Sequence, residues 1–235
     1  MADELSPSAS PVKGPEKAKS LLTSQAWAQP NAWKQADEVT GSPSEKKWKK
    51  VKPGKGIFYN GSDGKAGDLI STVEHGDVEL NIEFMIPNAS NSGIYFMKRY
   101  ELQILDSFGK PDGDLSYGDC GGIYQRWDDS KQDKKNKGYE GTPPSTNASG
   151  APGTWQKFRV QFRAPRFDES GNKIENARFV RVVHNGVTII EDAEVTGPTR
   201  GGASGQEIQR APLAIQGDHG PIAIRRLTVR KTNFE

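Results

Sequence analysis

The sequence predicts an all-β protein, an antiparallel β-sandwich or barrel, and three observations carry that prediction. Short runs with period-2 hydrophobic alternation follow one another along the chain, and no stretch after residue 50 sustains the 3.6-residue period of a helix. Glycine and proline are abundant, 26 and 15 among 235 residues, so the chain must turn often. The alternating runs are separated by Gly, Pro, Asn and Asp clusters, the punctuation of antiparallel strands.

Taken in order, residues 1–20 are small, polar and Pro/Ser-rich, too poor in apolar groups to offset their own ordering, and are expected to form a mobile tail. Residues 21–235 are expected to form one domain, near the upper size of a single all-β unit. Lys46, Lys47, Lys49, Lys50, Lys52 and Lys55 crowd around Trp48. Lysines of this kind keep a solvated strand edge soluble, and that reading outweighs contact with an anionic polymer. Strands are expected at 56–60, 68–73, 77–86, 92–97, 100–106, 154–164, 177–183, 187–190, 212–216 and 222–230. Asn185-Gly186 supplies the two positive-φ residues of a tight hairpin. The polar connection from about Gln125 to Gly153 has no periodicity and is long enough to be either functional or disordered.

Composition excludes several classes. Hydrophobic residues at 33% and charged residues at 26% suit a folded domain, and no apolar run approaches the roughly 20 residues that span a bilayer. A net charge of +2 offers no field for nucleic acid. Cys120 is alone, so no internal disulfide can form, and secretion remains compatible with that. The chain shows no signal peptide, although a secreted form with its signal removed and a start Met added would look the same; the expectation is a periplasmic or extracellular protein. Phosphate-binding loops, serine-hydrolase elbows and zincin motifs are missing, and His75, His184 and His219 are too scattered for a His-rich metal site.

Alternation then assigns faces. Phe158, Val160 and Phe162 form the core side of their strand and Arg159, Gln161 and Arg163 the polar side. Leu102 and Ile104 point inward, so Glu101 and Gln103 project outward beside Tyr95 and Met97. Planar hydrogen-bonding groups with aromatic neighbours on a sheet face are how sugars are held. Glu79, Asn81 and Glu83 share another face, as glycosidase carboxylates do, yet any solvated strand has this pattern.

The densest segment is NSGIYFMKRYELQILDS, residues 91–107. It is joined by CGGIY (120–124), GTWQ (153–156), FRAPRFD (162–168), VVHNGV (182–187), VTGPT (195–199) and LAIQGDHG (213–220). In this order, over about residues 55–231, the chain resembles the 3-keto-disaccharide hydrolase family, bacterial proteins formerly grouped as a domain of unknown function. The resemblance implies a two-sheet antiparallel β-sandwich of concanavalin A-like jelly-roll form. Residues 126–150 look longer than the family's usual connection.

It also implies a chemistry. A ketone at C3 acidifies the C2 proton of a glucosyl unit, a base removes it, the C1 substituent leaves by elimination, and water adds afterwards. Such a site needs a base near C2 and donors for the enolate oxygen. Because alternation places Glu101, Gln103 and Tyr95 on one exposed face, Glu101 is the expected base, and His219, in the G-D-H-G turn, the expected acid/base or oxyanion donor. Substrate contacts are expected from Tyr95, Gln103 and Gln216, from Tyr124 and Trp127 by stacking, and from Lys98, Arg99 and Arg163 toward enolate charge, some of these cations serving structural ion pairs with Asp106 or Asp168 instead. Arg166, Asp168 and His184 read as structural. No cofactor is implied; polar β-sandwich sites often hold a divalent cation, but no spacing here demands one. The implied partners are an oxidised di- or oligosaccharide and an oxidoreductase that installs the ketone. Two further readings stay open at this point, a non-catalytic carbohydrate-binding module of the same fold and a conventional β-glycanase using Glu79 and Glu83.

Overall fold

All ten expected runs are strands in the computed structural model, which describes residues 17–28 and 32–234. In chain order the strands are β1 (Lys19–Ser20), β2 (Trp27–Ala28), β3 (Lys34–Gly41), β4 (Trp48–Tyr59), β5 (Leu69–His75), β6 (Val78–Met85), β7 (Asn91–Phe96), β8 (Tyr100–Leu105), β9 (Arg126–Trp127), β10 (Gly138–Tyr139), β11 (Gln156–Arg163), β12 (Arg166–Phe167), β13 (Lys173–Glu175), β14 (Ala177–His184), β15 (Val187–Val195), β16 (Ala211–Ile215) and β17 (Ala223–Lys231). An eight-stranded sheet runs β15-β14-β11-β6-β17-β4-β3, with β1 also against β17. A five-stranded sheet runs β2-β5-β16-β7-β8, giving the two-sheet jelly-roll sandwich. Asn185 and Gly186 turn between β14 and β15 at φ 48° and 92°.

The inward faces meet in an aromatic core. Phe96 and Tyr100 of the smaller sheet pack on Phe162 of the larger one, with ring centroids 4.9 and 5.5 Å apart, and Phe84 packs on Phe158 at 5.1 Å. Burying such rings, at about 1.5–3 kcal/mol each, is what fixes the register of both sheets. Two histidines sit in this core. His75 donates from Nδ1 to the Gly76 carbonyl (2.8 Å), leaving Nε2 to accept the Met97 N–H (3.1 Å). His184 bonds Gln156 through Nε2 (2.9 Å), the structural place expected of it.

Residues 1–16 of the expected tail lie outside the described residues, and at its end Lys19 and Ser20 pair with Val229 and Thr228. The lysine cluster begins β4, where Lys50 and Lys52 pair with Glu38 and Asp37 of β3. β3 itself was not foreseen: a register shift between Ala36 and Glu38 breaks the period-2 pattern, so the inward residues Ala36 and Val39 fall three apart. The 125–153 connection is ordered, by means periodicity does not reveal. β9 pairs with β10, Ser145 N–H reaches the Ile189 carbonyl, and the Asn147 amide donates to the carbonyls of Ser107 and Lys110.

Candidate active site

The β7–β8 hairpin builds the floor. Its register sets Tyr95 opposite Glu101 and Gly93 opposite Gln103, while Ile94, Phe96, Tyr100, Leu102 and Ile104 enter the core. The predicted polar row therefore exists, but it is not exposed. Glu101 is only 3% accessible because the segment 121–124 and the loop 196–203 close over β8. Tyr124 N–H donates to the Glu101 carbonyl (3.0 Å), Gln103 N–H donates to Gly122, and the Thr199 hydroxyl accepts the Glu101 N–H (3.0 Å).

A cleft of about 230 Å³ opens here, lined by Asn91, Tyr95, Glu101, Gln103, Tyr124, Arg200, Gly201, Gln216 and His219. Glu101 dominates its electrostatics. Burial pushes its carboxyl up, a hydrogen bond from the Tyr95 hydroxyl pulls it partly back, and the negative charge of Asp68 raises it again, to about 8. The Gln103 amide, with its nitrogen turned toward the acceptors that face it, donates to Glu101 Oε1 (3.2 Å) and to the Ser92 carbonyl (3.1 Å).

His219 comes to the same cleft from the turn after β16. Asn60 shapes that turn by donating to the carbonyls of Gly217 (2.9 Å) and Gly220 (2.8 Å), and Lys46 donates to the His219 carbonyl (2.7 Å). The Asp218 carboxylate holds His219 Nδ1 at 2.5 Å, so the half-open ring keeps Nε2 for other partners. Asp68 stands outside the lining and acts through its charge; partial burial raises its carboxyl, the Gly217 N–H opposes this, Asp218 adds to it, and Lys98 and His219 counter it.

Six expected residues thus meet around one cavity: Glu101, His219, Tyr95, Gln103, Tyr124 and Gln216. The expected cations go elsewhere. Met97 and Lys98 form the hairpin turn at φ 52° and 54°, which ends the strand alternation, so Met97 is buried in the core rather than beside Tyr95, and Lys98 acts on Asp68 from outside the lining. Arg99 is buried and spends its guanidinium on the carbonyls of Met97 and Gln206. Arg163 lies on the other sheet and pairs with Glu175 (2.5 Å), not Asp106 or Asp168. Asp106 instead accepts the Ala89 N–H, Asp168 accepts backbone N–H groups of its own turn, and Arg166 clasps Asp77 with two bonds of 2.7 Å. Trp127 stands behind the lining, under Arg200. Arg200, Asn91, Asp68 and Asp218 escaped the sequence reading. Asn91 Oδ1 is buried without a partner at the cleft. Parity with Tyr95 could have flagged Asn91, and adjacency to His219 could have flagged Asp218.

The outer face of the larger sheet carries a groove of similar size, about 240 Å³, with Asn81, Glu83, Lys157, Arg159 and Arg226. Burial there favours protonation of Glu79 and Glu83, but Arg230 and Gln161 at Glu79, and Arg225 and Lys157 at Glu83, outweigh it and hold both carboxyls low. Neither carboxyl is raised as a glycosidase general acid is, so the pair offers that role no support. Among the described residues, no group of three or more His, Cys, Asp or Glu is set to hold a metal ion, and no helix is long and apolar enough to cross a membrane.

Residues 23–230 match the model of a family described as the 3-keto-alpha-glucoside-1,2-lyase-like domain. No curated protein matches the chain. Among solved structures, a putative glycosyl hydrolase from Parabacteroides distasonis is similar at 23% identity and TM-score 0.61, covering 97% of this chain and 94% of that one. A second such protein from the same organism has 17% identity and TM-score 0.59, with coverages of 92% and 100%. At these identities the likeness is one of fold.

Proposed function

The chain belongs to the 3-keto-alpha-glucoside-1,2-lyase-like family, and from that membership together with the cleft we propose that it cleaves 3-keto-glycosides through C2 proton abstraction. The observation that carries this reading is Glu101, a buried carboxyl raised to about 8 that shares a cleft with an Asp-held histidine. A carboxyl tuned toward neutrality is a far stronger base than an ordinary glutamate and still gives up its proton near physiological pH.

The electron flow is as follows. Glu101 takes the C2 proton, the C2–H pair becomes a C2=C3 bond, and the ketone pair moves onto O3. On collapse, the C3 carbonyl reforms, the pair shifts to C1=C2, and the C1–O bond breaks with the aglycone oxygen taking a proton from His219. Water added across the enone completes hydrolysis; without that step the enzyme is a lyase. Tyr95 and Gln103 hold the Glu101 carboxyl, and Asn91, Tyr124 and Gln216 offer the sugar its hydrogen bonds and an aromatic face. The ketone must be installed beforehand by an oxidation at C3, so an oxidoreductase is the reaction that supplies this substrate.

The test is to incubate the protein with the 3-keto form of trehalose or sucrose beside the unoxidised sugar, following both by NMR and mass spectrometry. Consumption of the keto sugar alone is expected. Binding of either sugar with no turnover would replace this reading with that of a carbohydrate-binding module.

A further inference from the structure

Abstraction of the C2 proton moves a negative charge from Glu101 onto the sugar oxygen, and the charge that acts on Glu101 from outside is that of another acid, Asp68. That oxygen calls for a fixed hydrogen-bond donor, and a cationic one opposes the charge most strongly. Lys98 is outside the lining and acts on Asp68 by its charge, Arg99 is consumed by backbone carbonyls, and Arg163 belongs to the other sheet. Among the described residues lining the cleft, Arg200 is the one permanent cation, and it makes no ion pair with any described carboxylate.

Its placement is built rather than incidental. The guanidinium carbon lies 3.9 Å from the centroid of the Trp127 ring, a stacking geometry that leaves the in-plane N–H donors free. Arg200 N–H donates to the Gln125 carbonyl (2.8 Å), two residues before Trp127. Arg126 then joins the same ribbon to the loop by donating to the Thr196 hydroxyl, and it pairs with Glu140 at 3.5 Å. On the other side, the next residue, Gly201, has φ 82° and stands so close to Tyr95 that a Cβ would lie 2.8 Å from its hydroxyl. Thr199 and Ala203 hold the loop to the carbonyls of Arg99 and Lys98 at the β7–β8 turn. Arg200 is thereby fixed between the 125–153 connection and the floor that carries the base.

We propose that Arg200, stacked on Trp127, is the electrophilic residue that binds the enediolate oxygen of the substrate. The inference rests on the 3-keto-glycoside reading above. It gives the long connection a task, because Trp127 and Arg126 of that segment hold the catalytic cation in place.

The test compares Arg200→Gln, Arg200→Lys, Arg200→Ala and Trp127→Leu with wild type on a 3-keto-glycoside. A donor that acts on developing charge is worth about 10²–10³-fold in kcat, so Arg200→Gln should lose about that much kcat with little change in KM. Arg200→Lys should lose less, Trp127→Leu should fall between wild type and Arg200→Gln, and added guanidinium should restore part of the Arg200→Ala activity. Melting temperatures of the Arg200 variants should stay within about 2 °C of wild type, since that side chain is exposed. An Arg200→Gln enzyme with unchanged kcat, or one whose loss lies wholly in KM, would overturn the assignment while leaving the reaction standing. A wild-type enzyme inert toward every keto sugar would overturn both.

Discussion

The carboxyl of Glu101 rests against the bare Cα of Gly93 on the neighbouring strand, where a Cβ would come within 2.2 Å of Oε1 and 3.0 Å of Cδ. Gly93 is buried in β7 with ordinary strand geometry, so the glycine answers a demand for space. Gly93→Ala is accordingly expected to displace the carboxylate, lowering kcat at least about 10²-fold and destabilising the fold by about 1–3 kcal/mol through overpacking. Steady-state kinetics and thermal melts check both, and an active, fully stable variant would show that the carboxylate does not need its seat.

The pH dependence follows from the same residue. As a base Glu101 must be ionised, so kcat/KM should rise with pH through a midpoint near 8. The Tyr95 hydroxyl lowers that value, so Tyr95→Phe should move the midpoint upward. For stability the sign is the reverse of an ordinary carboxylate. The folded value exceeds the unfolded one, so the folded state holds the extra proton between about 4.5 and 8, and this stabilisation is lost as pH rises through 8. Glu101→Gln should therefore gain melting temperature relative to wild type as pH is raised from about 5 to about 9.

Acid should destabilise the protein through its core histidines. Burial is the main cause that lowers His75 to about 4, with Arg210 adding to it, and burial alone does so for His184. Between 4 and the ordinary 6.5 the unfolded chain binds the protons, so stability is full above that window and falls as pH drops through it. Each residue contributes up to about 3 kcal/mol, partly offset by Glu101, whose proton favours the folded state. Urea unfolding at a series of pH values between about 7 and 4 measures it; a flat midpoint would mean that the histidines are hydrated.

Glu79→Gln and Glu83→Gln should leave cleavage of a keto sugar within about twofold of wild type, since both carboxylates are engaged by arginines on the far sheet. Hydrolysis of an unoxidised glycan by wild type that either substitution cuts by about 10²-fold would favour the β-glycanase reading instead.

Much of this was legible in the sequence. Alternation places Tyr95, Glu101 and Gln103 on one face, and the hairpin register bears that out. The same alternation misjudged exposure, because a period of two separates faces but does not say what covers them; Tyr124 and Thr199 reach β8 from 23 and 98 residues away from Glu101. It also failed at Lys98 and Arg99, where a left-handed turn interrupts the strand. Arg200 had no pattern to betray it. Its role as a lining residue comes from a loop held by backbone hydrogen bonds and a stacking partner 73 residues earlier.

The central claim, that Glu101 removes the C2 proton of a 3-keto-glycoside, is tested most directly with substrate deuterated at C2. Wild type should cleave it more slowly than the protiated sugar, and Glu101→Gln should lose about 10²–10⁴-fold in rate while still binding it. Equal rates for the two isotopologues together with an active Glu101→Gln enzyme would contradict the account.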